Sequence, residues 1–332
     1  MKTSIVNSSY KIQSPRMWPF LMAALYAYIC VFLIPWDLFR DGLFSDVENY
    51  IVRVEYLSGL GIEREFSGIS LLFSEALWKK ILLLIANFSN DYALALKFVS
   101  FLSLLIYAFF CFRRVNILIG MILLFNPLFI DLYMGQLRMS LAFALVLIAY
   151  ELRERKAAYI FLIASVSIHA SIFLIMAIFW SIAFASRRIE SNRNYLISCM
   201  AISFGFVVFM KFGIDFILVA VEDKRANYSD VIASSSLKYS LFWLILASLF
   251  TLKSDLITKE QRDLVGFCVL IMSLFFFSSL LGQYGQRFMA ISIPVVMCML
   301  GTIKGYYKVY AFLAVVSFQI IQFVYWTQVS IL

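Results

Sequence analysis

The chain has one histidine in 332 residues, His169, and its five cysteines (Cys30, Cys111, Cys199, Cys268 and Cys298) include no Cys-x-x-Cys pair. That scarcity speaks against a disulfide framework, a thiolate metal site or an all-protein zinc centre. A divalent ion held by carboxylate oxygens alone stays open. Charge is also scarce: 14% of residues are Asp, Glu, Lys or Arg, 63% are hydrophobic, and the mean hydropathy is +0.90. A chain this poor in charge is not a soluble globular domain. Short alternating segments, which a β-barrel requires, are missing. So are a phosphate-cradling glycine loop, a nucleophile elbow and a kinase signature. No repeat, low-complexity tract or Pro/Gly linker divides the chain, so residues 1–332 read as one integral membrane domain.

What is present is a succession of apolar runs that suit membrane-crossing helices. The expected spans are about 17–36, 92–112, 115–131, 138–150, 157–169, 170–186, 195–211, 238–252, 264–282, 288–303 and 309–327, an all-α bundle of about eleven crossings. The first follows Lys2, Lys11 and Arg16 without a small-residue cleavage pattern, and reads as an uncleaved helix. With the N-terminus in the cytoplasm, the inner segments 1–16, 113–114, 151–156, 187–194, 253–263 and 304–308 hold 16 basic and 6 acidic residues. All the rest of the chain keeps 12 basic and 14 acidic residues. This positive-inside bias sets the orientation, and it gives the formal charge of +8 a membrane explanation rather than a nucleic-acid one.

The run Phe66–Phe88 is long enough to span but carries Glu75, Lys79 and Lys80. Counting it as a crossing would put the basic turns after it outside, so it reads as an amphipathic or re-entrant helix on the outer face. Residues 37–91 then form one external segment, rich in acidic side chains, and about 212–237 form a second.

Three charged or titratable residues interrupt the apolar pattern: Arg138, His169 and Arg287. Charge is costly in a bilayer, so such residues commonly face a cavity and mark a site. In the topology above all three lie near outer helix ends, which would make a cationic pocket for an anionic, phosphorylated ligand. Asp131, Tyr133 and Gln136 precede Arg138 and could steady it, and Gln283, Tyr284 and Gln286 lie near Arg287. A guanidinium stays protonated and grips phosphate oxygens with a planar fork. Plainer roles stand beside these: an arginine at a helix end snorkels to headgroups, a lone histidine bonds a neighbouring carbonyl, and Ser171 is a packing hydroxyl.

The stretch Asn126-Pro-Leu-Phe-Ile-Asp-Leu-Tyr-Met-Gly-Gln-Leu-Arg138-Met-Ser-Leu-Ala, the basic turn Arg153-Glu-Arg-Lys and then Ser167-Ile-His169-Ala-Ser171 resemble the EpsG-like branch of the Wzy polysaccharide polymerases. In the outer segment, Asp46-Val-Glu-Asn-Tyr50 is similar to that family's Gly-x-Asp-x-x-x-Tyr neighbourhood. Glu65 resembles the glutamate of its Glu-Pro segment, with Phe66 in place of the proline. Arg287 lies where the family has a late arginine opening a helix. The resemblance implies a GT-C-like transferase joining undecaprenyl-diphosphate-linked oligosaccharide repeat units at the outer face of a bacterial inner membrane. It needs no cofactor, and its partners would include a flippase and a chain-length regulator. Arg138 and Arg287 would hold the diphosphate. His169 would either activate the acceptor hydroxyl or add a phosphate contact. Asp46 and Glu65 are rival bases or sugar anchors, and Tyr50, Asp131, Gln136, Ser171 and Tyr284 are substrate contacts. Two other classes compete: a lipid-linked-oligosaccharide flippase, disfavoured by the missing repeat, and a glycan ligase of similar chemistry.

Overall fold

The computed structural model describes residues 17–39, 44–60, 75–213, 237–258, 261–283, 285–303 and 305–326. Among these residues every regular element is helical. In chain order they are α1 (Met17–Tyr28, continued by a π turn, Ile29–Leu33), α2 (Trp36–Phe39), α3 (Ser45–Leu60), α4 (Ala76–Phe88), α5 (Tyr92–Phe112), α6 (Ile117–Leu124) and α7 (Pro127–Met134). There follow α8 (Leu137–Glu151), α9 (Ala157–Ile168), α10 (Ile172–Arg188), α11 (Asn192–Phe212), α12 (Leu237–Leu252), α13 (Arg262–Leu280), α14 (Gln286–Thr302) and α15 (Tyr306–Trp326).

On length and composition, four of the described helices can cross a bilayer, α5, α11, α13 and α15, and a fifth crossing results if the bent pair α6–α7 is one span. Shorter apolar helices occupy Met17–Leu33, Ala157–Ile168, Leu237–Leu252 and Gln286–Gly301. The chain is thus a helical protein of membrane character. Its centre is α13 and α14, buried almost continuously from Val265 to Phe275 and from Met289 to Leu300. Close approach depends on small residues: a Cβ on Gly266 would collide with the Tyr195 hydroxyl of α11.

Two elements differ from expectation. The segment 115–131 is not one straight span, because α6 and α7 meet at 77°. Asn126 caps α7 by accepting from the amides of Leu128 and Phe129 at 3.0 and 3.3 Å, and Pro127, with no amide to donate, opens the helix. The carbonyl left over by α6 at Leu123 accepts from Gln319 Nε2 at 2.8 Å, and Asn126 Nδ2 donates to Gln322 Oε1 at 3.4 Å. Both partners come from α15, so the break is satisfied inside the protein, as a hydrocarbon setting demands. The second difference is in the acidic segment expected outside, which contains a full helix, α3, with Asp46 and Glu48 in its first turn, where they complement the helix dipole.

Contacts between turns establish which helix ends lie together. Arg113 Nη1 donates to Glu151 Oε2 at 3.2 Å, and Arg114 pairs with the same carboxylate. Asn192 Nδ2 donates to the carbonyls of Ser254 and Ile257 at 3.2 and 3.0 Å. Lys253 Nζ stands 4.9 Å from the centre of the Tyr307 ring, and Val115 fills the space where Gly301 has no Cβ. The turns after α5, α8, α10, α12 and α14 therefore gather at one end of the bundle. These are five of the six segments that the charge count placed on one side. The start of α8, the end of α9 and the start of α14 lie at the other end.

Candidate functional site

That opposite end is where the interrupting residues sit. A tight turn delivers Arg138 into the first turn of α8: the amide of Gly135 bonds the carbonyl of Asp131 at 2.9 Å, and that of Gln136 bonds Leu132 at 2.9 Å. A Cβ on Gly135 would press against the Asp131 carbonyl and approach Phe44, so only glycine fits the turn. His169 ends α9 in extended backbone (φ −149°), its amide bonded to the Ser165 carbonyl at 3.0 Å. Because α8 and α9 form a hairpin across the basic turn, the start of one lies beside the end of the other.

Between them stands Glu75. It precedes α4 in a left-handed backbone conformation, φ 53° and ψ 43°, the only non-glycine residue at positive φ among those described. A non-glycine residue held there carries local strain and suggests a constrained position. Its side chain reaches into the end of the bundle, where Oε2 pairs with Arg138 Nη1 and Oε1 lies 2.7 Å from His169 Nδ1. Arg138 Nε in turn donates to the Tyr50 hydroxyl at 3.2 Å. The aromatic wall behind is Trp78, fully buried, with its ring edge-on to Tyr50 at 5.2 Å. Helices α3 and α4 pack on one another, and α4 also packs on α9. Hence Tyr50 and Glu75, from segments outside the expected spans, are carried to residues on two hydrophobic helices.

Burial raises the Tyr50 phenol above its ordinary range; Arg138 opposes that rise and the Asp46 carboxylate adds to it. At neutral pH the phenol keeps its proton, so its oxygen accepts from Arg138 while its own O–H remains a donor. Asp46 lies one helical turn before Tyr50, half-buried and within electrostatic reach of this group.

The other sequence candidates divide. Asp131 is buried and accepts from Trp326 Nε1 at 2.9 Å, which ties α7 to α15 rather than presenting a carboxylate to a ligand. Ser171 donates to Met139 Sδ at 3.2 Å, the packing role. Gln136 is buried at the start of α8, with no side-chain cap bond. Arg287 lies exposed in the first turn of α14, at the same end of the bundle as Arg138 and His169; among the described residues the Glu75 carboxylate joins Arg138 and His169. Glu65 and Tyr284 lie outside the described residues. The expected pocket was cationic; Glu75 offsets the charge of Arg138 and makes it a mixed site.

No family model, curated protein or solved structure matches the chain. The site therefore rests on its geometry. Among the described residues no group of three or more His, Cys, Asp and Glu is arranged to hold a metal ion. A cavity of about 480 Å³ lies beside the α6–α7 break, lined by Tyr26, Phe125, Gln319 and Phe323 among others, and it includes none of the cluster.

Glu75 is the residue that sequence reasoning passed over. In the sequence Glu75 is one of three charges within the apolar run Phe66–Phe88. Its signal was present: a carboxylate within an apolar stretch needs a partner, and the chain offered a lone arginine and a lone histidine in similar settings.

Proposed function

We propose that this protein is a membrane glycosyltransferase that polymerises oligosaccharide repeat units carried on undecaprenyl diphosphate, at the outer face of a bacterial inner membrane. The observation that carries the reading is the Glu75–Arg138–His169–Tyr50 cluster, built at the bundle end opposite the basic turns. In this reading the basic end faces the cytoplasm, the chain crosses about eleven times in a GT-C-like bundle, and the cluster faces outward.

The reaction needs a proton acceptor for a sugar hydroxyl and positive donors for a departing diphosphate. The acceptor O–H loses its proton to His169 as its oxygen bonds to the anomeric carbon of the donor sugar. The bond from that carbon to the phosphate oxygen breaks, and the lipid diphosphate leaves with the electron pair. Arg138 has N–H groups left over after bonding Glu75 and Tyr50, and its side chain remains 32% accessible, so it can still grip a phosphate. Arg287, exposed at the same end, supplies the second cation. Fixed donors of this kind, in a partly dry site, stabilise developing negative charge. In this reading Asp46 and Tyr50 bind sugar hydroxyls.

The test is to incubate purified protein in bilayer discs with lipid-linked repeat units and resolve the products by size. A ladder is expected from the unaltered protein and a much weaker one from Arg138→Lys, which keeps charge but loses the fork. Transfer to a different acceptor with no ladder would mark a ligase, and movement of the lipid across the bilayer without bond formation would mark a flippase.

A further inference from the structure

The sequence left His169 with two roles, base or phosphate contact, and the cluster geometry separates them. Arg138 pairs with one oxygen of Glu75, and a carboxylate held against a guanidinium is ionised. An ionised carboxylate can only accept hydrogen bonds. The contact of 2.7 Å between its other oxygen and His169 Nδ1 must then be an Nδ1–H donated to Glu75. A neutral imidazole with its proton on Nδ1 carries its lone pair on Nε2. We infer that Glu75 is a positioning residue: it fixes the tautomer and ring orientation of His169 so that Nε2 is the proton-accepting nitrogen of the site.

Several further observations agree. The histidine side chain remains 16% accessible, so the imidazole is within reach of a substrate. The left-handed backbone at Glu75 is retained where an ordinary helix start would be cheaper, which is expected if the direction of the carboxylate matters. The arrangement has the logic of a carboxylate–histidine pair in acyl transfer, where a buried acid holds the imidazole in the productive tautomer without itself taking the proton. Here Arg138 has a double duty, keeping Glu75 ionised on one side while offering its remaining donors on the other. The assignment of Nε2 to an acceptor sugar hydroxyl rests on the polymerase reading; the tautomer does not.

Because His169 is the only histidine in the chain, its ring nitrogens can be read without assignment. Protein carrying isotopically labelled histidine, in bilayer discs near neutral pH, is examined by long-range proton–nitrogen NMR. The expected spectrum shows a protonated Nδ1 and a bare Nε2 as the major form. A major Nε2–H form, or an imidazolium throughout the neutral range, overturns the inference. Glu75→Gln should shift the population towards Nε2–H. It should also lower turnover by about 10²–10⁴-fold, with little change in KM for the lipid-linked acceptor. Glu75→Asp should recover part of the turnover and of the Nδ1–H signal. The two readings fail separately. The expected tautomer without any ladder would sink the polymerase and leave this assignment standing. A normal ladder with the opposite tautomer would do the reverse.

Discussion

Replacing Arg138 by methionine keeps much of the side-chain length and removes the charge, and the structure predicts that a second substitution will repair part of the damage. Arg138 makes a charge-assisted bond to Glu75 and a bond to the Tyr50 hydroxyl. Removing one member of a fully buried ion pair costs roughly 3–5 kcal/mol, because the other charge is left without compensation. The arginine here is 32% accessible and the carboxylate 11%, so water reaches the pair from one side. Partial hydration, and the bond from His169 that Glu75 keeps, bring the expected loss to about 2–4 kcal/mol. Glu75→Gln alone leaves Arg138 able to turn to solvent and should cost less, about 1–2 kcal/mol. Together, Arg138→Met and Glu75→Gln leave no stranded charge, so the double variant should be more stable than Arg138→Met by about 1–2 kcal/mol, a coupling normal for residues in contact. At roughly 1–2 °C per kcal/mol for a chain of this size, it should survive heating about 1–3 °C further. The assay is the fraction of monodisperse protein left after stepwise heating in detergent. If the double variant is lost as early as the two single penalties added together, the ion pair is not the interaction described here.

Three other outcomes are expected. Cysteines placed at the exposed positions Asn49 and Asn194 should react with impermeant reagents from opposite sides of sealed vesicles, against little background, since all five native cysteines are buried; labelling from one side would overturn the orientation. Polymer formation should survive a strong chelator; loss that Mg²⁺ or Mn²⁺ restores would turn attention to Asp46, Glu65 and Glu75 as oxygen ligands. Asn126→Ala should lower the heating midpoint by a few degrees, because it removes a cap contributing about 0.5–2 kcal/mol and the contact with Gln322; an unchanged midpoint would mean that the break is not held by its cap.

Some of this was legible in the residues themselves. Arg138 and His169 stood out because each was a lone polar group between apolar runs, and the hairpin α8–α9 follows directly from the runs on either side of the basic turn. The basic turns could be grouped by counting charge, and the contacts of Arg113, Arg114, Asn192 and Lys253 join the same turns. Glu75 was not legible as a partner, because its bonds to Arg138 and His169 close over 63 and 94 residues. No local pattern specifies a pairing at that separation. The break at Asn126 was a different kind of miss. The Asn-Pro signal was there, but average hydropathy over the segment outweighed a two-residue cap. Asp131 was a candidate because it precedes Arg138 in the family-like stretch, and only packing reveals that an indole nitrogen bonds it.

The clasp on the α6–α7 break also has a consequence in time. Gln319, Gln322 and Trp326 bond Leu123, Asn126 and Asp131 across 195 or 196 residues. At an elongation rate of about 5–20 residues per second, the first partner waits roughly 10–40 s for the second to be made. Throughout that interval these three bonds have no partner, and only the local signals, Pro127 and the Asn126 cap, favour a break there. The clasp that holds the kink is thus a late event in biogenesis, completed only when α15 arrives.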